Sequence, residues 1–213
     1  MKEIDSKTWD RKAHFDFFLR SDLPFYNVDF NLDVTGLRDG CKERGVSVNS
    51  ALIYATVRAL NRVENFLYRL ENGKVVRYDG IDPSFTSIRE GEELFRLITV
   101  NFHDDIVVFD QTVKAAVAAS TAYFDVSMLT GRSNFVFISA LPWIPFTGID
   151  HTQSLNKEDA MPRVSWGKMH ERNGKTVLPY NIRVNHIFID GIHVGRFYEC
   201  LTEEIRRLVK HAG

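Results

Sequence analysis

The chain has 213 residues, of which 44% are apolar and 26% charged, proportions that exclude a disordered or fibrous protein. Its 27 Lys and Arg against 28 Asp and Glu leave a net charge of −1, which argues against a nucleic-acid or membrane-surface protein. Roughly 70% of the unfolded surface can be buried at this size, and the 16 Phe can fill that core or line an apolar pocket. The first helix is predicted over residues 8–19, with Trp9, Phe15, Phe17 and Phe18 among its side chains. Alternation of Val28, Phe30, Leu32 and Val34 with Asp29, Asn31 and Asp33 predicts a strand over 26–34. Ser47 or Asn49 can cap a helix running to about residue 63 whose apolar residues cover more than one face, so it is expected to be buried on most sides. Glu71-Asn72-Gly73-Lys74 reads as the turn of a hairpin between 66–70 and 75–78. Helical stretches are expected at 92–95 and 105–119, and a buried strand at 134–141. A second hairpin turns at Asn173-Gly174 between 163–170 and 177–187. Gly191 opens a last helix with Val194, Phe197, Leu201, Ile205 and Leu208 at helical spacing. With no repeat and no linker, residues 1–213 are expected to form one domain. Recurring hairpins without regular βαβ alternation favour α+β, a mixed sheet covered by helices.

Two cysteines, Cys41 and Cys200, offer no disulfide framework and point to a reducing compartment. The first residues lack the apolar core of a signal peptide, and the longest apolar stretch, 135–146, contains Pro142 and Pro145 and is too short to span a bilayer. A soluble cytoplasmic protein is expected.

The chemistry is sought first among seven histidines, at positions 14, 103, 151, 170, 186, 193 and 211. No HExxH or other tight ligand spacing occurs, so no metal site is expected. His103-Asp104-Asp105 reads as a helix-entry cap. His186 stands apart. Strand alternation places it with Leu178, Tyr180, Ile182 and Val184, opposite Asn181, Arg183 and Asn185, and just before Asp190-Gly191. A histidine on an apolar face is commonly a satisfied core residue. At a strand end beside a carboxylate and a turn glycine it can also be a fixed, partly buried base. GxSxG, GxGxxG and the P-loop are absent, and neither cysteine has a nucleophile's setting. The residues alone therefore read as a soluble enzyme using a histidine base.

The segment from Asn185-His186 through Asp190-Gly191 to His193-Val194 resembles the C-terminal signature of the chloramphenicol acetyltransferase family, His-His-x-x-x-Asp-Gly followed by Phe-His-Val. Similarity extends to Trp9-Asp-Arg11-Lys-Ala-His14-Phe15, to Asp82-Pro83-Ser-Phe85-Thr86, to Phe102-His103-Asp104-Asp105, to Ile138-Ser139-Ala140-Leu141-Pro142-Trp143 with Phe146, and to Val177-Leu178-Pro179. The resemblance implies a two-layer α/β sandwich assembled as a homotrimer, with each site at a subunit interface. It implies acetyl-CoA as co-substrate with no permanently bound cofactor, chloramphenicol or a similar small hydroxylated acceptor, and a part in antibiotic resistance. His186 would be the general base. Asp190, paired with Arg11, would support the site structurally. Phe17, Phe18, Phe146, Thr147, Gly148 and Ser165 would belong to the acceptor pocket, and Lys168 would lie near the CoA phosphates. Met169 replaces an aromatic residue that packs on the adenine, and Asn185 replaces the first signature histidine, pointing away from His186 with little expected effect on the chemistry. Gly148 is matched to a serine whose hydroxyl stabilises the oxyanion; either Thr147, Ser165 or the Gly148 backbone N–H substitutes for it, or the enzyme is slow or directed to another hydroxyl. The alternatives are an acyltransferase for a different alcohol or thiol, and a catalytically impaired member that binds a small ligand.

Overall fold

The computed structural model describes residues 1–5, 7–152 and 156–210; His211 lies outside the described residues. The elements in chain order are β1 (Lys2–Glu3), α1 (Lys12–Phe18), β2 (Phe25–Asp33), α2 (Leu37–Arg44), α3 (Val48–Asn61), β3 (Tyr68–Glu71), β4 (Lys74–Arg77), β5 (Asp82–Ser87), β6 (Arg96–Thr99), α4 (Ile106–Ala119), β7 (Phe135–Ala140), β8 (Arg163–Trp166), β9 (His170–Arg172), β10 (Lys175–Asn185) and α5 (Gly191–Val209). The main sheet runs β2-β10-β8-β7-β5-β6, with β9 also paired to β10. It is mixed: β7 is parallel to β5 and β8, and the other pairs are antiparallel. A small antiparallel sheet, β1-β4-β3, stands apart.

The longest strand, β10, separates two environments. Leu178, Tyr180, Ile182 and Val184 face the helical layer, where Tyr180 Oη lies 2.8 Å from Thr56 Oγ1 on α3 and its ring packs beside Phe197 of α5. Asn181, Arg183 and Asn185 occupy the opposite face and are also buried. The alternation expected for this strand therefore holds. Ser47 Oγ accepts from Ser50 N–H (3.0 Å) at the start of α3, and residues 50–57 are buried throughout, as the many-sided apolar pattern requires. Asp105 caps α4, accepting from the N–H groups of Val107 and Val108. Asn72-Gly73 and Asn173-Gly174 have φ of 51°, 75°, 52° and 73°, the left-handed pairs that close two-residue hairpins.

Four expectations change. The first helix begins at Lys12, because residues 7–11 form turns that bring Arg11 inward. Residues 92–95 are not helical; the Glu92–Arg96 ion pair has helical spacing, but one such pair cannot offset the cost of nucleating a single turn. The strand predicted over 163–170 breaks after Trp166. At Gly167 a Cβ would lie 2.6 Å from the Ile144 carbonyl, which also accepts from Lys168 N–H. Helix α2, over which no element is predicted, is short and polar and contains Gly40. A Cβ on Gly40 would lie 2.1 Å from the Leu208 carbonyl, so glycine is what lets α2 and α5 approach.

Gly→Ala inside a helix ordinarily gains about 1 kcal/mol. At Gly40 the clash is with backbone and should dominate, so Gly40→Ala is expected to destabilise by about 1–3 kcal/mol. Chemical denaturation checks the sign.

Candidate active site

Beyond Asn185 the chain leaves β10 and turns through residues 186–189 into α5. Side chains from distant elements hold every carbonyl of that turn. Arg11 Nη2 donates to His186 O and Nε to Ile187 O, both at 2.9 Å. Asn65 Nδ2 donates to Phe188 O (3.0 Å) and Tyr26 Oη to Ile189 O (3.3 Å). His186 N–H is fixed by Pro24 O at 2.6 Å. The remaining Arg11 donors grip Asp190, Nη2 reaching Oδ1 at 2.8 Å and Nη1 reaching Oδ2. Arg11 is thus a buried clamp with a side chain only 10% exposed, not the solvated cation that its residue type suggests. Asp190 stands at the N-cap of α5, and its N–H donates to His193 Nδ1 (2.9 Å), so that nitrogen of His193 carries no proton. Burial lowers the pKa of His193 as well.

The His186 ring is stacked on Phe18, centroids 3.8 Å apart and planes 12° from parallel, with Tyr26 at 4.9 Å. Its Nδ1 is buried 3.2 Å from Asp190 Oδ1, without hydrogen-bond alignment. The side chain is 35% exposed, so the open edge is the one carrying Nε2. Arg11 donates hydrogen bonds to Asp190 and holds its carboxyl below the ordinary 3.8, so it is ionised beside the imidazole at neutral pH. Phe17 packs edge-on against Phe18 and is 66% exposed. Tyr26 was not anticipated. Its phenol is pushed up to about 12 by burial and the nearby Asp190 charge, so it acts here as a neutral donor.

The other expected residues lie elsewhere. On the sheet face opposite the helices, register aligns Asp29, Asn181, Ser165 and Ser139 in one row across four strands. Thr86 Oγ1 continues it at 3.5 Å from Ser139 Oγ. Ser165 is fully buried and its Oγ makes no hydrogen bond. Gly148 is at the other end of the row: a Cβ there would lie 3.8 Å from Asp29 Oδ2, and its φ lies outside the left-handed region. The hydroxyl neighbouring Ser165 therefore comes from Ser139, named above only as part of a strand motif. A cavity of about 250 Å³ opens on this face between Ser84, Thr86, Phe137, Ser139, His151 and Arg163. Phe146 and Thr147 border a smaller one, about 160 Å³, with Asp29, His170 and Arg172. Lys168 stands on a groove of about 470 Å³ lined by Leu52, Pro142, Trp166 and Met169, with Arg38 also bordering it. The row meets β10 at Asn181, five residues before His186, about 17 Å along the strand. One chain therefore brings His186 together with Arg11, Asp190, Phe18 and Phe17, but not with Ser165, Gly148 or Ser139.

Breaking either half of the Arg11–Asp190 pair strands the other charge, with a cost of up to about 3–5 kcal/mol for a buried pair. The effects of Arg11→Ala and Asp190→Asn on stability should be non-additive, as a double-mutant cycle in urea would register. Because Asp190 ionises more readily folded than unfolded, its contribution is complete above the ordinary value of 3.8 and is lost as pH falls through its lower folded value. Asp190→Asn should accordingly flatten the acid limb of the stability profile.

The chain is similar to known proteins over nearly its whole length. The family model described as chloramphenicol acetyltransferase matches residues 1–202. A chloramphenicol acetyltransferase from Klebsiella sp is 29% identical over 204 residues, 94% of this chain and 91% of that protein. Chloramphenicol acetyltransferase 2 of Escherichia coli is 28% identical, covering 93% of each chain. A solved chloramphenicol acetyltransferase structure superposes with a TM-score of 0.88 at 30% identity, over 96% of this chain and 100% of that one. A probable dihydrolipoamide acetyltransferase from Listeria monocytogenes, at 15% identity and a TM-score of 0.64, shares the fold. The chain belongs to the chloramphenicol acetyltransferase family and is an acetyltransferase.

Proposed function

We propose that the chain transfers an acetyl group from acetyl-CoA to a hydroxyl of chloramphenicol or a similar small acceptor, with His186 as general base. The observation that carries this reading is the pose of His186: Nδ1 buried against an ionised Asp190, the Nε2 edge open, and the whole turn pinned. In the step we propose, Nε2 takes the proton of the acceptor hydroxyl while that oxygen attacks the thioester carbon. The resulting imidazolium faces Asp190. Collapse of the tetrahedral intermediate breaks the C–S bond, and the departing CoA thiolate recovers the proton from His186. Both substrates are held together, so no acyl-enzyme is required.

We assign the oxyanion donor to Ser139 instead of Gly148, since Ser139 lines the sheet-face cavity beside Ser165. The acceptor then occupies that cavity, and acetyl-CoA the groove at Lys168, whose ammonium would meet its phosphates. His186 and Ser139 are too far apart within one chain, so the reading requires a second copy to complete each site, as a homotrimer would. Large exposed side chains, Phe17, Phe124 and Trp143 at 63–66%, favour such burial. An acceptor other than chloramphenicol is the second reading, favoured by the Arg163 guanidinium in the cavity wall.

Thiol release from acetyl-CoA, measured with chloramphenicol and with a panel of other alcohols, tests the reading. His186→Ala should lose about 10²–10⁴-fold in kcat, and Ser139→Ala about 10²–10³-fold. Gly148→Ser should give no gain. Near-normal turnover by His186→Ala, or an active monomer on sedimentation, would overturn the proposal.

A further inference from the structure

Asn185 replaces a histidine of the family signature, yet no polar atom of its amide is idle. It is 3% exposed. Nδ2 donates to Lys157 O (2.7 Å) and Asp159 O (3.1 Å), while Oδ1 accepts from Ile187 N–H (2.9 Å), one residue past His186. Asp159 is itself anchored. Its carboxylate accepts from Met161 N–H (3.1 Å) and from Arg163 Nη2 (2.7 Å), with side chains 11% and 16% exposed. Arg163 lines the sheet-face cavity and lies over the Phe137 ring, 5.5 Å from its centre. A continuous polar strut thus runs from the cavity wall through Arg163, Asp159 and Asn185 to the backbone that carries His186. Arg11 and Asn65 hold the turn's carbonyls, so Asn185 supplies the matching restraint on an N–H.

We propose that Asn185 is a positioning residue for His186, and that Asp159 and Arg163 extend its control to the wall of the acceptor cavity. The proposal rests on His186 being the base. In an assembly whose sites are shared, the strut would tie the cavity of one site to the base of the next. A shift of about 1 Å in a reacting group can cost 10²-fold in rate, which is the scale on which such a strut matters.

The test compares kcat and both KM values for Asn185→Asp, Arg163→Gln and the double variant. Asn185→Asp keeps an oxygen for Ile187 N–H but sets a second oxygen against two carbonyls. It should lower kcat by about 10–10²-fold and leave KM for acetyl-CoA within about twofold. Arg163→Gln should lower kcat too and raise the acceptor KM. The double variant should be no slower than the worse single one, and Arg163→Lys should recover part of the loss. If Asn185→Asp is not recovered folded, Asn185→Ser, which keeps an acceptor and drops both carbonyl contacts, is read by the same criteria. Unchanged kcat in the residue-185 variant, or losses that multiply in the double, would overturn the strut. His186→Ala assayed alongside separates the two ideas: if it stays active, the assignment of the base has failed, and with it the strut's purpose.

Discussion

The site depends on one guanidinium. Arg11 places its donors on His186 O, Ile187 O and both oxygens of Asp190, and so fixes the exit of β10 and the entry of α5 together. A planar fork of five donors suits this task, whereas the point charge of a lysine could not satisfy three groups in different directions. The clamp also sets the electrostatics. By keeping Asp190 ionised it places a fixed negative charge 3.2 Å from Nδ1, beside the ring that takes the acceptor's proton in the mechanism proposed above.

What was legible in the sequence followed periodicity and local chemistry. The alternation of Leu178 to Val184 against Asn181 to Asn185 gave the two faces of β10, Asp105 capped a helix, and two Asn-Gly pairs closed hairpins. What was not legible depended on contacts between distant residues. Helix α2 has few apolar residues, and its Gly40 is explained only by the Leu208 carbonyl, 168 residues away in sequence. By residue type alone Arg11 reads as a surface charge; its pairing with Asp190 was implied only by the family resemblance, and the fold does bring the two together. Tyr26 and Asn65 had no local signal at all, since each acts through a single hydrogen bond to the far turn.

The site residues divide in the same way. His186, Asp190 and Phe18 were found and do meet. Gly148 is matched by resemblance, from its place after Phe146; strand register adds that the hydroxyl standing beside Ser165 is that of Ser139. β7 and β8 run parallel with Ser139 opposite Ser165, and Gly148 lies beyond them against Asp29. A parallel pair joins segments separated by a long connection, so local reading could not have supplied it. If Ser139 is the oxyanion donor proposed above, the missing hydroxyl at Gly148 does not by itself make the enzyme slow.

A single measurement addresses the claim that each site joins His186 of one chain to Ser139 of another. His186→Ala and Ser139→Ala chains, each inactive alone, are denatured, mixed in equal amounts and refolded together. A shared site predicts recovery of activity, with about a quarter of all sites formed from two unaltered halves under random assembly. If mixed assemblies form and activity stays at the level of the separate variants, both residues belong to one chain's site and the account is wrong.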